Sequence, residues 1–131
     1  MKTLSKQLAI RSDDYVLLNR FLQNPGWDIK IDWQYTKKLM AELEKCEQFE
    51  PEDFPKDAVR LHSEVSVKEV SSGKEYHFTL VMPDKADVKL KHVSIMAPMG
   101  IALIGYRKGD TVQWEMPSGV KQLEITAVHN P

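Results

Sequence analysis

VSIMAPMGIALIGYRKGDTVQWEMPSGV, residues 93–120, decides the fold of this chain, because its prolines, glycines and apolar residues set strand, helix and turn in order. Val93 and Ile95 open a short apolar strand that meets Ala97-Pro98. Proline's fixed φ and missing N–H suit the first position of a helix. Ile101, Leu103 and Ile104 then anchor one or two helical turns, and Gly105 stands where a helix end favours a left-handed residue. Lys108-Gly109-Asp110 turns the chain into a strand from Thr111 to Glu115, and Pro117-Ser118-Gly119 reverses it into a last strand. Gly100, Gly105 and Gly109 serve turns, since no Lys-Ser/Thr follows them as a phosphate-binding loop would require.

Outward from this stretch the hydrophobic period is two. Val65 and Val67 alternate with polar residues, Ser71-Ser72-Gly73 turns, and Tyr76, Phe78 and Leu80 alternate again. Residues 85–92 form a charged connector without a stripe, and the last strand places Leu123, Ile125 and Ala127 on one face. Nearer the N-terminus the period becomes helical. Ser12 can cap a helix with Asp13 and Asp14 in its first turn, where the helix dipole favours acids. Tyr15, Leu18 and Leu22, widened by Leu17 and Phe21, give its apolar stripe, and Asn24-Pro25-Gly26 ends it. Asp32 caps a second helix that runs to about Glu47, with Tyr35, Leu39, Leu43 and Cys46 on one face. Between the periods, Pro51 and Pro55 with Glu50, Glu52 and Asp53 make a stiff acidic linker. The expected organisation is a short antiparallel helical hairpin over residues 1–50 and an antiparallel α+β domain over residues 51–131.

Composition narrows the chemistry. A chain of 131 residues supports one core with a small appendage. With 18 basic against 19 acidic residues there is no broad field to hold a polyanion, so sequence-specific nucleic-acid binding is not expected. Apolar runs fall far short of a membrane span and the N-terminus lacks the apolar core of a signal peptide, which points to a cytoplasmic protein without membrane contact. The single cysteine, Cys46, excludes an internal disulfide and a Cys-rich zinc site, and its place on an apolar stripe reads as core. His62, His77, His92 and His129 stand at least 15 residues apart, without the helical spacing of a zinc pair. No catalytic residue, metal or cofactor is expected.

The residues quoted above resemble the C-terminal domain of the Gre transcription factors, whose order is strand, Ser/Ala-Pro, short helix ending in Leu-x-Gly, Gly-Asp turn, strand, Pro-x-Gly, strand. Within that family they are most similar to the Rnk branch (regulators of nucleoside diphosphate kinase). The matching residues are Met96-Ala97-Pro98-x-Gly100-x-Ala102-Leu103-x-Gly105, Gly109-Asp110 and Trp114-Glu115-x-Pro117-x-Gly119-Val120, with Pro51-Glu52-x-x-Pro55-x-Asp57-x-Val59 and His62-Ser63 upstream. The resemblance spans residues 51–128 and implies a strongly bent, FKBP-like sheet wrapped on one helix. It also implies RNA polymerase as partner, near the secondary channel, with Met96, Ala97, Pro98 and Met99 at the contact.

In Gre factors a long coiled coil brings acidic tip residues, which hold a metal ion, to the polymerase active site. Here the expected tip holds Trp27, Asp28 and Asp32, but helices of about a dozen residues reach only about 18 Å. The resemblance therefore implies a non-enzymatic regulator that competes with Gre-type factors, and an effect on nucleoside diphosphate kinase that is either direct or exerted through transcription. Two alternatives stand beside it. One is a short-armed transcript cleavage factor; the other is a prolyl isomerase of FKBP type, whose pocket would have to be built from Tyr76, Phe78, Tyr106 and Trp114.

Overall fold

A computed structural model describes residues 8–23, 33–116 and 118–131. The helical period is realised as α1, Ser12–Gln23, and α2, Trp33–Lys45, flanked by two short strands, β1 (Ala9–Arg11) and β2 (Glu47–Phe49). The alternating period becomes β3 (Glu64–Glu69), β4 (Glu75–Val81), β5 (His92–Ser94), β6 (Thr111–Met116) and β7 (Gly119–His129), with α3 (Pro98–Leu103) between β5 and β6. The α+β architecture with its single short helix against the sheet is as expected.

Three details differ from the sequence reading. The second helix stops at Lys45, and Glu47 belongs to β2, which pairs in parallel with β1. The Glu47 amide donates to the Leu8 carbonyl at 2.8 Å, so the pairing captures the chain before another turn can form. Cys46 is accordingly outside the helix, half-buried against the core, and burial pushes its thiol pKa up. The five-stranded sheet, in the order β5-β4-β3-β7-β6, is antiparallel except for β4 and β5, which run parallel. A parallel neighbour needs a crossover, and the charged connector supplies it through 3-10 turns at Pro83–Lys85 and Val88–Leu90.

The third difference is a register shift between Ser66 and Val67. Val67 faces Ile125, Ser66 faces Ala127, and Thr126 is the extra residue. Ala127 therefore leaves the face shared by Leu123 and Ile125, and Val128, opposite Val65, packs toward the core in its place.

One apolar cluster joins both halves of the chain: Leu18, Leu22, Leu39 and Leu43 from the helices, Val65, Val67, Leu80, Leu123 and Ile125 from the sheet, and Ile101 and Leu103 from α3. Leu8 lies so close to Gly105 that a Cβ there would stand 2.6 Å from the leucine Cβ, and Gly105 also has φ +87°. The helix-ending glycine thus serves turn and packing together.

At the start of α1, Arg11 donates to both carboxylate oxygens of Asp13, at 2.7 and 2.6 Å. That hydrogen bond holds the Asp13 carboxyl down at about 2. A lowered carboxylate pKa stabilises the fold above the ordinary value near 3.8, and the contribution is lost as pH falls through about 2. Asp13 is half exposed, so screening limits the gain to less than about 1 kcal/mol. Urea titrations should show Asp13→Asn slightly less stable at pH 7, with the gap closing between pH 4 and pH 2. A gap constant over that range would contradict the assignment.

Candidate functional site

The Ala97-Pro98 turn is built by β5 and capped by α3. The Ile95 amide donates to the Val81 carbonyl at 2.9 Å, the Met96 amide to Ser94 Oγ at 2.9 Å and the Ala97 amide to the Ser94 carbonyl at 3.0 Å. Ala97 has extended backbone angles and Pro98 takes the first helical position, as its ring requires. The Ala97 carbonyl then accepts from the Ile101 amide at 3.0 Å.

Of the four residues expected at the contact, Ala97 and Pro98 are half-buried and face outward in part, whereas Met96 and Met99 are 7% and 8% exposed. The two methionines are chiefly core. Met99 also reaches the floor of an open groove of about 630 Å³ beside the turn. Tyr76, Phe78, Val93, Ala97 and Trp114 make most of its wall, and Val88 of the crossover connection and His92 at the start of β5 stand at its edge. Val88 is 94% exposed.

Sheet curvature makes this groove. Tyr76 is on β4 and Trp114 on β6, with β3 and β7 between them. In a flat sheet three strand spacings would separate them by about 14 Å. Their ring centroids are instead 5.7 Å apart in an edge-to-face arrangement, so the sheet is bent until its far strands meet over α3. Lys74 Nζ lies 5.3 Å from the centroid of the Tyr76 ring, and the Trp114 indole N–H is buried with no hydrogen-bond partner among the described residues. Of the aromatics considered for an isomerase pocket, Tyr76, Phe78 and Trp114 converge here. Tyr106 does not: it lines a separate small cavity with Leu8, Leu39 and Ile101.

A polar cluster that sequence reading missed lies across β3 and β4. Ser66 and His77 are register partners, and Ser66 Oγ is 2.7 Å from His77 Nδ1, while His77 Nε2 is 3.8 Å from a Glu75 oxygen. His77 and Glu75 are about 60% exposed, which leaves the cluster in water as an ordinary cross-strand pair. His62 has φ +74° and is exposed, and its neighbour Ser63 is buried. Ser63 Oγ accepts from the Arg60 amide at 2.8 Å and donates to Asn130 Oδ1. His62-Ser63 is therefore a turn that ties the C-terminal end to the start of β3. Among the described residues no three His, Cys, Asp or Glu side chains are placed to hold a metal ion. Trp27, Asp28 and Asp32, including the capping role of Asp32, lie outside the described residues.

A bent five-stranded sheet on one short helix, with Ala-Pro at the helix start and a glycine-ended last turn, is the setting of these residues, and the chain belongs to the family described as transcription elongation factor, GreA/GreB, C-terminal, over residues 54–130. It is 42% identical over 82 residues to the regulator of nucleoside diphosphate kinase of Escherichia coli (strain K12), covering 63% of this chain and 60% of that protein. It is 32% identical over 92 residues to transcription elongation factor GreA of Syntrophobacter fumaroxidans, covering 70% of this chain and 59% of that protein. The chain thus spans about three fifths of the length of these relatives. Among solved structures it is similar to a prokaryotic transcription elongation factor GreA/GreB from Nitrosomonas europaea, with a TM-score of 0.77, 31% identity, and coverage of 96% of this chain and 100% of that one.

Proposed function

We propose that this protein is a non-enzymatic transcription regulator that binds RNA polymerase near its secondary channel and competes there with Gre-type elongation factors. The observation that carries the reading is the open apolar groove running up to the Ala97-Pro98 turn, where the family resemblance puts the contact. Residues 51–131 act as the anchor and residues 1–50 as a short arm at the channel entrance. Among the described residues α1 has 12 and α2 has 13, or about 18–20 Å of helix, which is short of the rod that would carry a carboxylate to a buried polymerase centre. Competition needs only a shared site, in the cytoplasm where polymerase works, and no cofactor. No described helix is long and apolar enough to cross a membrane.

Val88→Glu tests the docking surface without touching the core. A carboxylate at the groove edge would be desolvated by an apolar partner, so affinity for polymerase should fall at least about tenfold, or about 1.4 kcal/mol. A folded Val88→Glu protein with unchanged affinity would place the docking surface elsewhere. Convergence of Tyr76, Phe78 and Trp114 favours prolyl isomerisation as the second reading. A tetrapeptide isomerisation assay should show no acceleration.

A further inference from the structure

We infer that the Asp14–Arg60 ion pair is a positioning device: it fixes the direction in which the helices leave the sheet domain, and so decides how well the protein blocks a site on its partner. The second half of this statement rests on the function proposed above; the first does not.

Arg60 Nε donates to one Asp14 oxygen at 2.9 Å and Nη2 to the other at 2.8 Å. The side chains are 8% and 3% exposed and belong to residues 46 positions apart, one in the first turn of α1 and one in the segment before β3. A buried pair of this kind is a poor source of net stability, because desolvation offsets the attraction. Its two parallel hydrogen bonds nevertheless admit a single relative orientation. The apolar contacts around it, from Leu18, Leu22, Leu39 and Leu43, are non-directional and permit several.

Arg60 is itself held. Its amide donates to Ser63 Oγ, Ser63 is bonded to Asn130, and Asn130 Nδ2 donates to the carbonyls of Lys56 and Ala58, each at 3.0 Å. Direction is thus passed from the C-terminal end of β7 through Arg60 to α1. Leverage makes this matter, since a play of about 20° at the base moves the far end of an 18 Å helix by about 6 Å.

The experiment removes the charges and keeps the volume: Asp14→Leu with Arg60→Met, compared with the parent chain. Spin labels at Gln23→Cys and Gln122→Cys in a Cys46→Ala background give the distance distribution between the end of α1 and the sheet. The distribution should at least double in width in the paired variant. Affinity for polymerase should stay within threefold, while the concentration that halves Gre-stimulated cleavage should rise at least fivefold. An unchanged narrow distribution would overturn the positioning role. A broadened distribution with undiminished competition would overturn its functional half. Failure of the parent chain to bind polymerase would refute the proposed function, and the distances would still decide the latch. Should the paired variant not fold, Asp14→Asn, which keeps an acceptor but no charge, is measured with the same readouts and the same criteria.

Discussion

Gly100→Ala should lower the unfolding free energy by about 3 kcal/mol and the melting temperature by roughly 10 °C, although Gly100 lies in a helix where alanine is intrinsically better by about 0.5–1 kcal/mol. The sign is set by space. A Cβ at Gly100 would stand 2.5 Å from the Ser94 carbonyl oxygen, 2.7 Å from Ile95 Cα and 2.9 Å from Ile95 C. All three are backbone atoms of β5 and the turn behind it, so no flexible side-chain end can move aside. α3 would have to lift from β5, opening the packing around Ile95, Ile101 and Leu103. The same shift would displace Ala97 and Met99 in the groove and weaken partner binding beyond the loss of stability. Thermal melts followed by circular dichroism check this. An equal or higher melting temperature would contradict the close approach of α3 to β5.

Asp14→Ala should be at least as damaging, by about 3–5 kcal/mol, because it leaves the Arg60 guanidinium buried with its carboxylate gone. Arg60→Ala should cost a similar amount for the converse reason. Asp14→Leu with Arg60→Met should lie near the parent chain, since removing both charges leaves nothing unpaired. The diagnostic is this non-additivity in urea denaturation. Single costs that simply sum in the double variant would show that the two side chains do not act as a pair.

Much of the architecture was legible because it follows from local chemistry. Tyr76, Phe78 and Leu80 alternate, and β4 alternates with them. Proline at the start of α3 and Gly105, with φ +87°, after its end bound that helix as their backbone preferences require. What escaped is non-local or short. β1 and β2 have three residues each, too few to show a period, and exist because they pair with each other. The parallel course of β5 depends on how the crossover folds, and the shift that turns Ala127 away depends on register with Ser66.

The site divides in the same way. Alanine and proline at positions 97 and 98 marked the turn, but only packing shows that Met96 and Met99 turn largely inward. The groove needs Trp114 to meet Tyr76 across two intervening strands, a consequence of curvature that no spacing in the chain reveals. The Asp14–Arg60 pair was hidden for a related reason. Asp14 had a sufficient local role as an acid in a helix's first turn, and its partner lies 46 residues away.

The most direct test of the competition account is a stalled elongation complex incubated with a Gre-type cleavage factor and rising amounts of this protein. Alone, the protein should add no 3′ transcript cleavage. With the cleavage factor present, cleavage should fall as its concentration rises, and Asp28→Asn with Asp32→Asn should leave that inhibition largely intact. Stimulation of cleavage by the parent chain alone, abolished in the double asparagine variant, would contradict the account and make this a short-armed cleavage factor.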